Sequence, residues 1–346
     1  MKDIKCVVWD LDGTLWEGSL LESDNVQLKP GIREIIQILD SRGMLHSIAS
    51  KNSYEDAIRK IKEFQMEKYF LCPEINWNAK STSIQRIQSY LNIGMDTIML
   101  IDDSPFERDE VRYVHPEVTC IDASEYTTLS SHPRLNPTFI SEDSKRRRLM
   151  YLEDIERKRE ELAYKGPKRD FLASLGIRFI ISPAKEEDLR RAEELTIRTN
   201  QLNTTGKTYS YDELQKFVSS QKHKLLICEM NDKYGSYGKI GLALIETTRE
   251  FWYLRLFLMS CRVMSYGVGT VLLLYIMQEA KKAEKRLRVD FQLTGRNRIM
   301  YITLKFAKFK EIADDQEGCL LLENDLLKTQ KLPSYIDLTV RQHDRG

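Results

Sequence analysis

With 346 residues the chain is long enough for two domains, each able to hold a core. Its 53 basic and 52 acidic residues nearly cancel, and a net charge of +1 provides no global field for nucleic acid or an anionic membrane. No apolar run reaches the roughly eighteen residues a spanning helix needs, and the six scattered cysteines form no C-x-x-C pair, which argues against a membrane span, a zinc site and a disulfide scaffold and for a reducing, cytoplasmic setting.

The first residues run directly into Cys6-Val7-Val8-Trp9 and leave no room for a signal peptide. That apolar run is short, rich in β-formers and cut off by Asp10-Leu11-Asp12-Gly13-Thr14, so it reads as a buried strand. In an open parallel sheet, chemistry sits beyond the carboxyl ends of the strands, which places Asp10 and Asp12 at that edge. Two carboxylates so close repel unless a cation or a shared proton compensates, and a hard divalent ion such as Mg2+ suits them. Gly13 permits a sharp turn that aims backbone amides at an anion. A carboxylate nucleophile, a neighbouring acid–base group, a metal and exposed N–H groups are what phosphoryl transfer requires.

Residues 16–23 are polar and irregular and are expected to form a small cap. Pro30-Gly31 opens a helix with Ile32, Ile35, Ile36 and Leu39 on one face, and Gly43 stops it. Residues 44–49 form a second strand ending at Ser50-Lys51-Asn52. A helix carrying Ala57, Ile58, Ile61 and Phe64 follows, then a short strand over residues 69–72. Lys80 opens a helix with Ile84, Ile87 and Leu91. Residues 97–101 form a strand ending in Asp102-Asp103, Pro105 begins another helix, and residues 118–121 close the sheet. Alternating strands and helices predict a doubly wound parallel sheet, with all these strand ends converging on one edge.

The ordered set Asp10-Leu11-Asp12-Gly13-Thr14, Ser50, Lys80 and Asp102-Asp103 closely resembles the four motifs of the haloacid dehalogenase (HAD) superfamily, over residues 1–140. The resemblance implies Asp10 as the nucleophile toward phosphorus and Asp12 as the group that protonates the leaving oxygen and then activates water. Asp10, Asp12, Asp102 and Asp103 would hold Mg2+. Ser50 would bond the phosphoryl oxygens, Lys80 would neutralise their charge and hold Asp10, and Gly13 and Thr14 would supply backbone contacts. Asn52 either contacts substrate or serves the turn.

A finer pattern adds Glu17-Gly18, Asn76-Trp77-Asn78-Ala79-Lys80 and Ser104-Pro105-Phe106-Glu107-Arg108 to these motifs. Together they look like the FkbH-like branch of the superfamily, which serves polyketide and related assembly lines. That branch implies a small phosphorylated substrate, 1,3-bisphosphoglycerate. Its phosphate is removed, and the glyceryl group passes through an enzyme cysteine to the phosphopantetheine thiol of an acyl carrier protein. The chain departs from the pattern at Ala49, where many relatives have Cys, and at Ser104, where many have Asn.

Residues 141–175 read as a helical linker, opened by Ser141-Glu142-Asp143 and broken by Gly166-Pro167. Its basic run, Lys145-Arg146-Arg147-Arg148, reads as a solvated face or as a dock for an acidic carrier protein. Residues 176–346 alternate strands and helices, with Gly267-Val268-Gly269 before a long apolar helix, an order that resembles the GNAT acetyltransferase fold. In that fold the Gly-rich turn cradles a pyrophosphate on backbone amides. The same cradle, with Arg262, Gly267, Gly269 and Asn200, would take the phosphopantetheine arm. Residues 199–203 either line such a groove or cap and turn. Ser260-Cys261-Arg262-Val263 resembles an FkbH-like segment, and Arg262 beside a helix amino terminus would favour the Cys261 thiolate, which makes Cys261 the candidate acyl carrier. The other cysteines outside the first strand, Cys72, Cys120, Cys228 and Cys319, read as core. No histidine joins an obvious triad.

The expected molecule is thus an α/β enzyme, a HAD-type doubly wound sheet followed by a GNAT-like α/β domain. Its leading function is glyceryl transfer from 1,3-bisphosphoglycerate to an acyl carrier protein, with no nucleic-acid or membrane partner. A Mg2+-dependent phosphatase of a small metabolite and a non-catalytic carrier-binding scaffold are the alternatives.

Overall fold

A computed structural model describes residues 3–314, 318–327 and 331–342. The chain divides into two compact units, Met1–Ile155 and Glu156–Gly346.

The first unit runs β1 (Cys6–Trp9), β2 (Trp16–Glu17), β3 (Gln27–Leu28), α1 (Ile32–Ser41), β4 (Leu45–Ser50), α2 (Tyr54–Glu63), β5 (Glu74–Ile75), α3 (Lys80–Leu91), β6 (Ile98–Asp102), α4 (Pro105–Val114) and β7 (Thr119–Asp122). Five strands make a parallel sheet in the order β5-β4-β1-β6-β7. Strand order reverses at β1, so the carboxyl ends of β1 and β6 flank a crevice at the switch point. Alternation along β1 fills both faces. Val7 and Trp9 enter a core with Ile32, Ile36 and Leu39 of α1, while Cys6 and Val8 enter another with Ile84 and Ile87 of α3 and Val111 of α4. This is the HAD-type doubly wound sheet. The expected cap is a two-strand hairpin, β2 on β3, with Trp16 fully buried.

One expected strand moved. Residues 69–72 carry the end of a 3-10 turn (Glu67–Tyr69) and a lone bridge from Phe70 to His46. Cys72 has φ 49, a left-handed backbone that ends the ladder, and the edge strand forms at Glu74–Ile75 instead.

The linker forms α5 (Glu142–Lys145), α6 (Arg147–Ala163) and α7 (Lys168–Ser174). Ser141 Oγ caps α5 by accepting from Ser144 N at 3.1 Å. The basic run is only partly solvated. Arg147 is buried and donates to the Gly43 carbonyl at 3.1 Å, and Arg148 Nε donates to Asp40 Oδ1 at 2.8 Å. These two cations are taken up within the unit, which narrows the docking reading to the exposed Lys145 and Arg146.

The second unit continues with β8 (Ile177–Pro183), α8 (Leu189–Arg198), α9 (Tyr211–Val218), β9 (His223–Asp232), β10 (Gly235–Thr247), β11 (Phe251–Met259), α10 (Val268–Lys282), β12 (Arg286–Gln292), α11 (Arg298–Phe306), β13 (Lys310–Asp314), β14 (Cys319–Asn324) and β15 (Ile336–Val340). All eight strands form one mixed sheet, β13-β14-β12-β11-β10-β9-β8-β15. One face packs against α10 through Leu254, Val289, Phe291, Leu272 and Ile276. The other packs against α8 and α9 through Leu242, Leu244, Leu256, Leu195 and Leu214. The architecture is the GNAT-like α/β arrangement. Cysteine placement corrects the core reading: Cys228 is buried, Cys72 and Cys120 are half-buried, and Cys319 is exposed on β14, near the sheet edge. Among the described residues, no helix is long and apolar enough to cross a membrane.

Candidate active site

Asp10 is the first residue beyond β1, tied to the sheet through its N–H to the Ile101 carbonyl at 3.0 Å. Its side chain is buried beside Lys80, the first residue of α3. Lys80 Nζ lies 3.0 Å from Asp10 Oδ1 and 2.5 Å from Glu107 Oε2, and it also bonds Asp102 Oδ2. Asp102, at the end of β6, is fixed from other directions as well. Its Oδ1 accepts from Ser104 N at 2.9 Å and its carbonyl from Arg108 Nη1 at 2.6 Å. Glu107 sits in the first turn of α4, which Ser104 caps and Pro105 opens. Its second oxygen takes Lys51 Nζ at 2.8 Å, so Glu107 bridges two ammonium groups.

Burial dominates the electrostatics here. It pushes the Asp10 carboxyl up to about 7; the Lys80 ammonium pulls the other way, and the Asp102 charge adds to the rise. Asp102 is raised for the same first reason, against the pull of Lys80. For Lys80, burial alone would lower the pKa, yet the charges of Asp10, Asp102 and Glu107 win and raise it. Glu107, partly desolvated, is nevertheless lowered by Lys80 and Lys51. The lysine is therefore held charged, and Asp10 is poised to exchange a proton for a stronger cation.

Asp10, Asp102 and Glu107 each offer an oxygen within 4.8 Å of the others. An all-carboxylate donor set suits a hard ion such as Mg2+, so the residues present fit that metal. Glu107 was not among the metal candidates read from the sequence. The available signal was an acid three residues after a Ser cap that directly follows the Asp102-Asp103 strand end.

Of the expected metal group, Asp10 and Asp102 fall in this cluster. Asp12 stands apart from the three-carboxylate cluster. Its oxygens accept from Trp16 Nε1 at 2.7 Å and from Ser19 Oγ, Leu20 N and Asn52 Nδ2 at 3.2 Å each. Those contacts explain Asn52: it orients Asp12, and its own Oδ1 accepts from Ser53 N at 2.9 Å. Asp103 is likewise outside the cluster, paired with Thr14, whose Oγ1 accepts from Asp103 N at 3.1 Å. Gly13 has φ +66, a backbone that favours glycine, and a Cβ there would lie 2.5 Å from Asp103 Oδ2, so any larger residue would also displace the Asp103 carboxylate. Ser50 is buried and hydrogen-bonds the Asp10 carboxyl. His46 lies on β4. It is fully buried, accepts from Trp9 Nε1 at 3.1 Å, and is pushed down to about 3 by burial.

In the second unit, Cys261 is half-buried at the start of a 3-10 turn (Cys261–Tyr266) just after β11. Arg262 Nη2 donates to the Tyr237 carbonyl at 2.9 Å. Gly267, at φ +78, caps α10, and a Cβ there would lie 3.0 Å from Tyr335 Oη. Gly269 faces the Met259 side chain, with 3.7 Å from a modest added Cβ to Cγ. Asn200 is half-buried just past α8. The fully buried Asn203 serves a turn: its Oδ1 accepts from Thr205 N and Gly206 N at 3.1 and 3.0 Å.

No protein-family model matches the chain. It is 29% identical over 136 residues to the human protein magnesium-dependent phosphatase 1, covering 34% of this chain and 76% of that protein. Among solved structures, the N-terminal part of protein BF1531 from Bacteroides fragilis, containing a phosphatase domain complexed with Mg, is 30% identical with a TM-score of 0.34. That match covers 36% of this chain and spans 38% of the other. The ribosomal-protein-S18-alanine N-acetyltransferase of Escherichia coli is 13% identical with a TM-score of 0.33, over 42% of this chain and 90% of that one. The phosphatase similarity belongs to the amino-terminal, HAD-like part of the chain.

Proposed function

We propose that the first unit is a Mg2+-dependent phosphoryl-transfer enzyme working through Asp10. The observation that carries this reading is the buried Asp10–Lys80–Asp102–Glu107 cluster at the switch point of the parallel sheet. Similarity to a magnesium-dependent phosphatase supports it. Asp10, Asp102 and Glu107 would hold the ion, which when bound offsets the charge of Asp10 and of the incoming phosphoryl group.

Asp10 attacks phosphorus, the bond from phosphorus to the leaving oxygen breaks, and Asp12 gives that oxygen its proton. Asp12 then takes a proton from water, whose oxygen attacks the aspartyl phosphate, releasing inorganic phosphate and free Asp10. Lys80 balances the phosphoryl charge throughout, and Ser50 donates a hydrogen bond to a phosphoryl oxygen. Four hydrogen bonds hold Asp12 in one orientation for both proton transfers.

The finer proposal is that the whole chain loads the glyceryl group of 1,3-bisphosphoglycerate onto the phosphopantetheine thiol of an acyl carrier protein in the cytoplasm. It rests on the FkbH-like motifs and on a GNAT-like unit that presents a half-buried cysteine before a helix amino terminus. The Cys261 thiolate attacks the acyl carbon, phosphate leaves, and the carrier thiolate then displaces Cys261. The remaining phosphoester is the substrate of Asp10. Incubation with 1,3-bisphosphoglycerate, Mg2+ and holo carrier protein, followed by intact-mass analysis, tests both levels. A glyceryl adduct on the carrier with phosphate release is expected. Phosphate release without an adduct would reduce the reading to a small-metabolite phosphatase.

A further inference from the structure

β11 and β12 pair in parallel through Phe251–Leu254 and Arg286–Val289, and there the ladder stops. β11 runs on to Met259 and β12 to Gln292 without pairing each other. Parted strands turn N–H and C=O groups toward a gap, and such a gap accepts an extended chain that carries its own amides. A pantetheine arm is a chain of that kind, and the gap ends two residues before Cys261.

The protein fills this gap itself. Met259 N donates to the Leu202 carbonyl at 2.8 Å, and Thr204 N donates to the Phe257 carbonyl at 3.0 Å. Phe257 N in turn donates to Thr204 Oγ1 at 3.0 Å. From the opposite side, Gln292 N donates to the Thr204 carbonyl at 2.9 Å. Asn203 lies across from Leu258 as an antiparallel bridge partner. Thr204 therefore bonds both parted strands at once.

Two buried amides hold the segment in place. Asn203, Thr204 and Asn297 are all fully buried. Asn203 Nδ2 donates to the Thr199 carbonyl at 3.2 Å, which fixes the approach from α8. Asn297 Nδ2 donates to the Asn203 carbonyl at 3.0 Å and to the Gln292 carbonyl at 2.8 Å, while its Oδ1 accepts from Thr294 N at 3.0 Å. Asn297 thus joins the segment to the end of β12.

We infer that residues 202–204 are a built-in strand that closes the gap between β11 and β12, so that the second unit takes no pantetheine chain there, whether as coenzyme A or on a carrier protein. Opening the gap would strip partners from buried backbone groups on both strands and on the segment, and a pantetheine chain has fewer amides than it would have to replace. One consequence rests on the glyceryl-loading reading: a carrier thiol bound for Cys261 arrives over the exposed Met264 and Ser265, not along the sheet. The closed gap itself does not depend on that reading.

Amide hydrogen exchange of the full chain, resolved to single residues, tests the inference with and without coenzyme A at about 1 mM, a concentration that detects even weak binding. Thr204, Phe257, Met259 and Gln292 are expected to exchange as slowly as central β9 amides, and coenzyme A is expected to leave Thr204 and Gln292 protected. Fast exchange at Thr204 in the free protein, or loss of its protection on adding coenzyme A, overturns the proposal. Asn297→Ala is expected to speed exchange at Thr204 and Gln292 by about tenfold or more while β9 stays protected. Should that variant fail to fold, the wild-type measurement still decides. No phosphorylated substrate or carrier protein enters the experiment, so a failure of glyceryl loading leaves its outcome unaffected.

Discussion

Asp10 is a buried acid whose neighbours do not fully compensate it. Burial pushes its carboxyl up to about 7, with Lys80 opposing and Asp102 adding to the rise. The folded protein holds this proton more tightly than the unfolded chain does. Its stabilising contribution is therefore full below about pH 4 and is lost as pH rises through about 7, on the order of 1–4 kcal/mol. In metal-free protein, thermal melts from pH 5 to 8 should fall more steeply for the wild type than for Asp10→Asn, which lacks the titration. Millimolar Mg2+ should raise the wild-type melting temperature more at pH 8 than at pH 6, because a bound proton competes with the ion. Glu107 belongs to the same balance. Glu107→Gln removes an anion from both Lys80 and Lys51 and should lower phosphate release about 10–100-fold while raising the Mg2+ concentration for half-maximal rate. Initial rates against a Mg2+ titration check it; an unchanged midpoint would remove Glu107 from the ion's surroundings.

Element by element, what was legible in the sequence follows burial. β1 is apolar throughout, β6 is apolar up to Asp102, and β4 is buried along its whole length although it carries His46, Ser47 and Ser50; α1 and α3 show their buried faces at helical spacing, so the first sheet could be read with its strand ends on one edge. β13 is exposed along its whole length, which leaves no buried face to find; β15, at the other edge of the second sheet, is short, with only Ile336 and Leu338 turned half-buried toward the core. Glu107 was missed because an acid in a helix's first turn already has a sufficient reason in the helix dipole. The α6 helix shows the converse, since a run of mixed charge reads as solvated whether or not one member is buried. Arg157 is almost fully buried, bonds Asp232 through Nε at 2.6 Å and Nη2 at 3.0 Å, and stacks 3.9 Å over the Tyr237 ring. Asp232 also accepts from Tyr234 N and Gly235 N, which shapes the turn from β9 into β10. Arg157→Ala would leave that carboxylate buried and short of its cation, at a cost of about 3–5 kcal/mol in denaturant unfolding. A loss under about 1 kcal/mol would mean the helix is held by its apolar contacts alone.

For the whole molecule, the proposed reading gives one chain two chemistries, and on that reading the two units can be silenced separately. Asp10→Asn removes the nucleophile toward phosphorus while leaving Cys261 and its surroundings untouched. Cys261→Ala does the reverse and should abolish carrier loading while phosphate release from a simple phosphoester stays within about twofold, since Cys261 belongs to the other compact unit and not to the carboxylate cluster. The informative case is Asp10→Asn with 1,3-bisphosphoglycerate. A mixed acyl-phosphate anhydride is already activated at carbon, so a thiolate can displace its phosphate without help from an aspartyl phosphate. The phosphoester at the other end has no such activation and depends on Asp10. On the glyceryl-loading proposal, intact-mass analysis of Asp10→Asn should therefore find a phosphoglyceryl group on Cys261, heavier by one phosphate than the glyceryl group expected on the wild type. Peptide mapping would place it, and Asp10→Asn/Cys261→Ala should carry no label. An unlabelled Asp10→Asn single variant would move cleavage of the anhydride itself to the Asp10 site, and the cysteine would then receive the acyl group only after phosphorus had been handled.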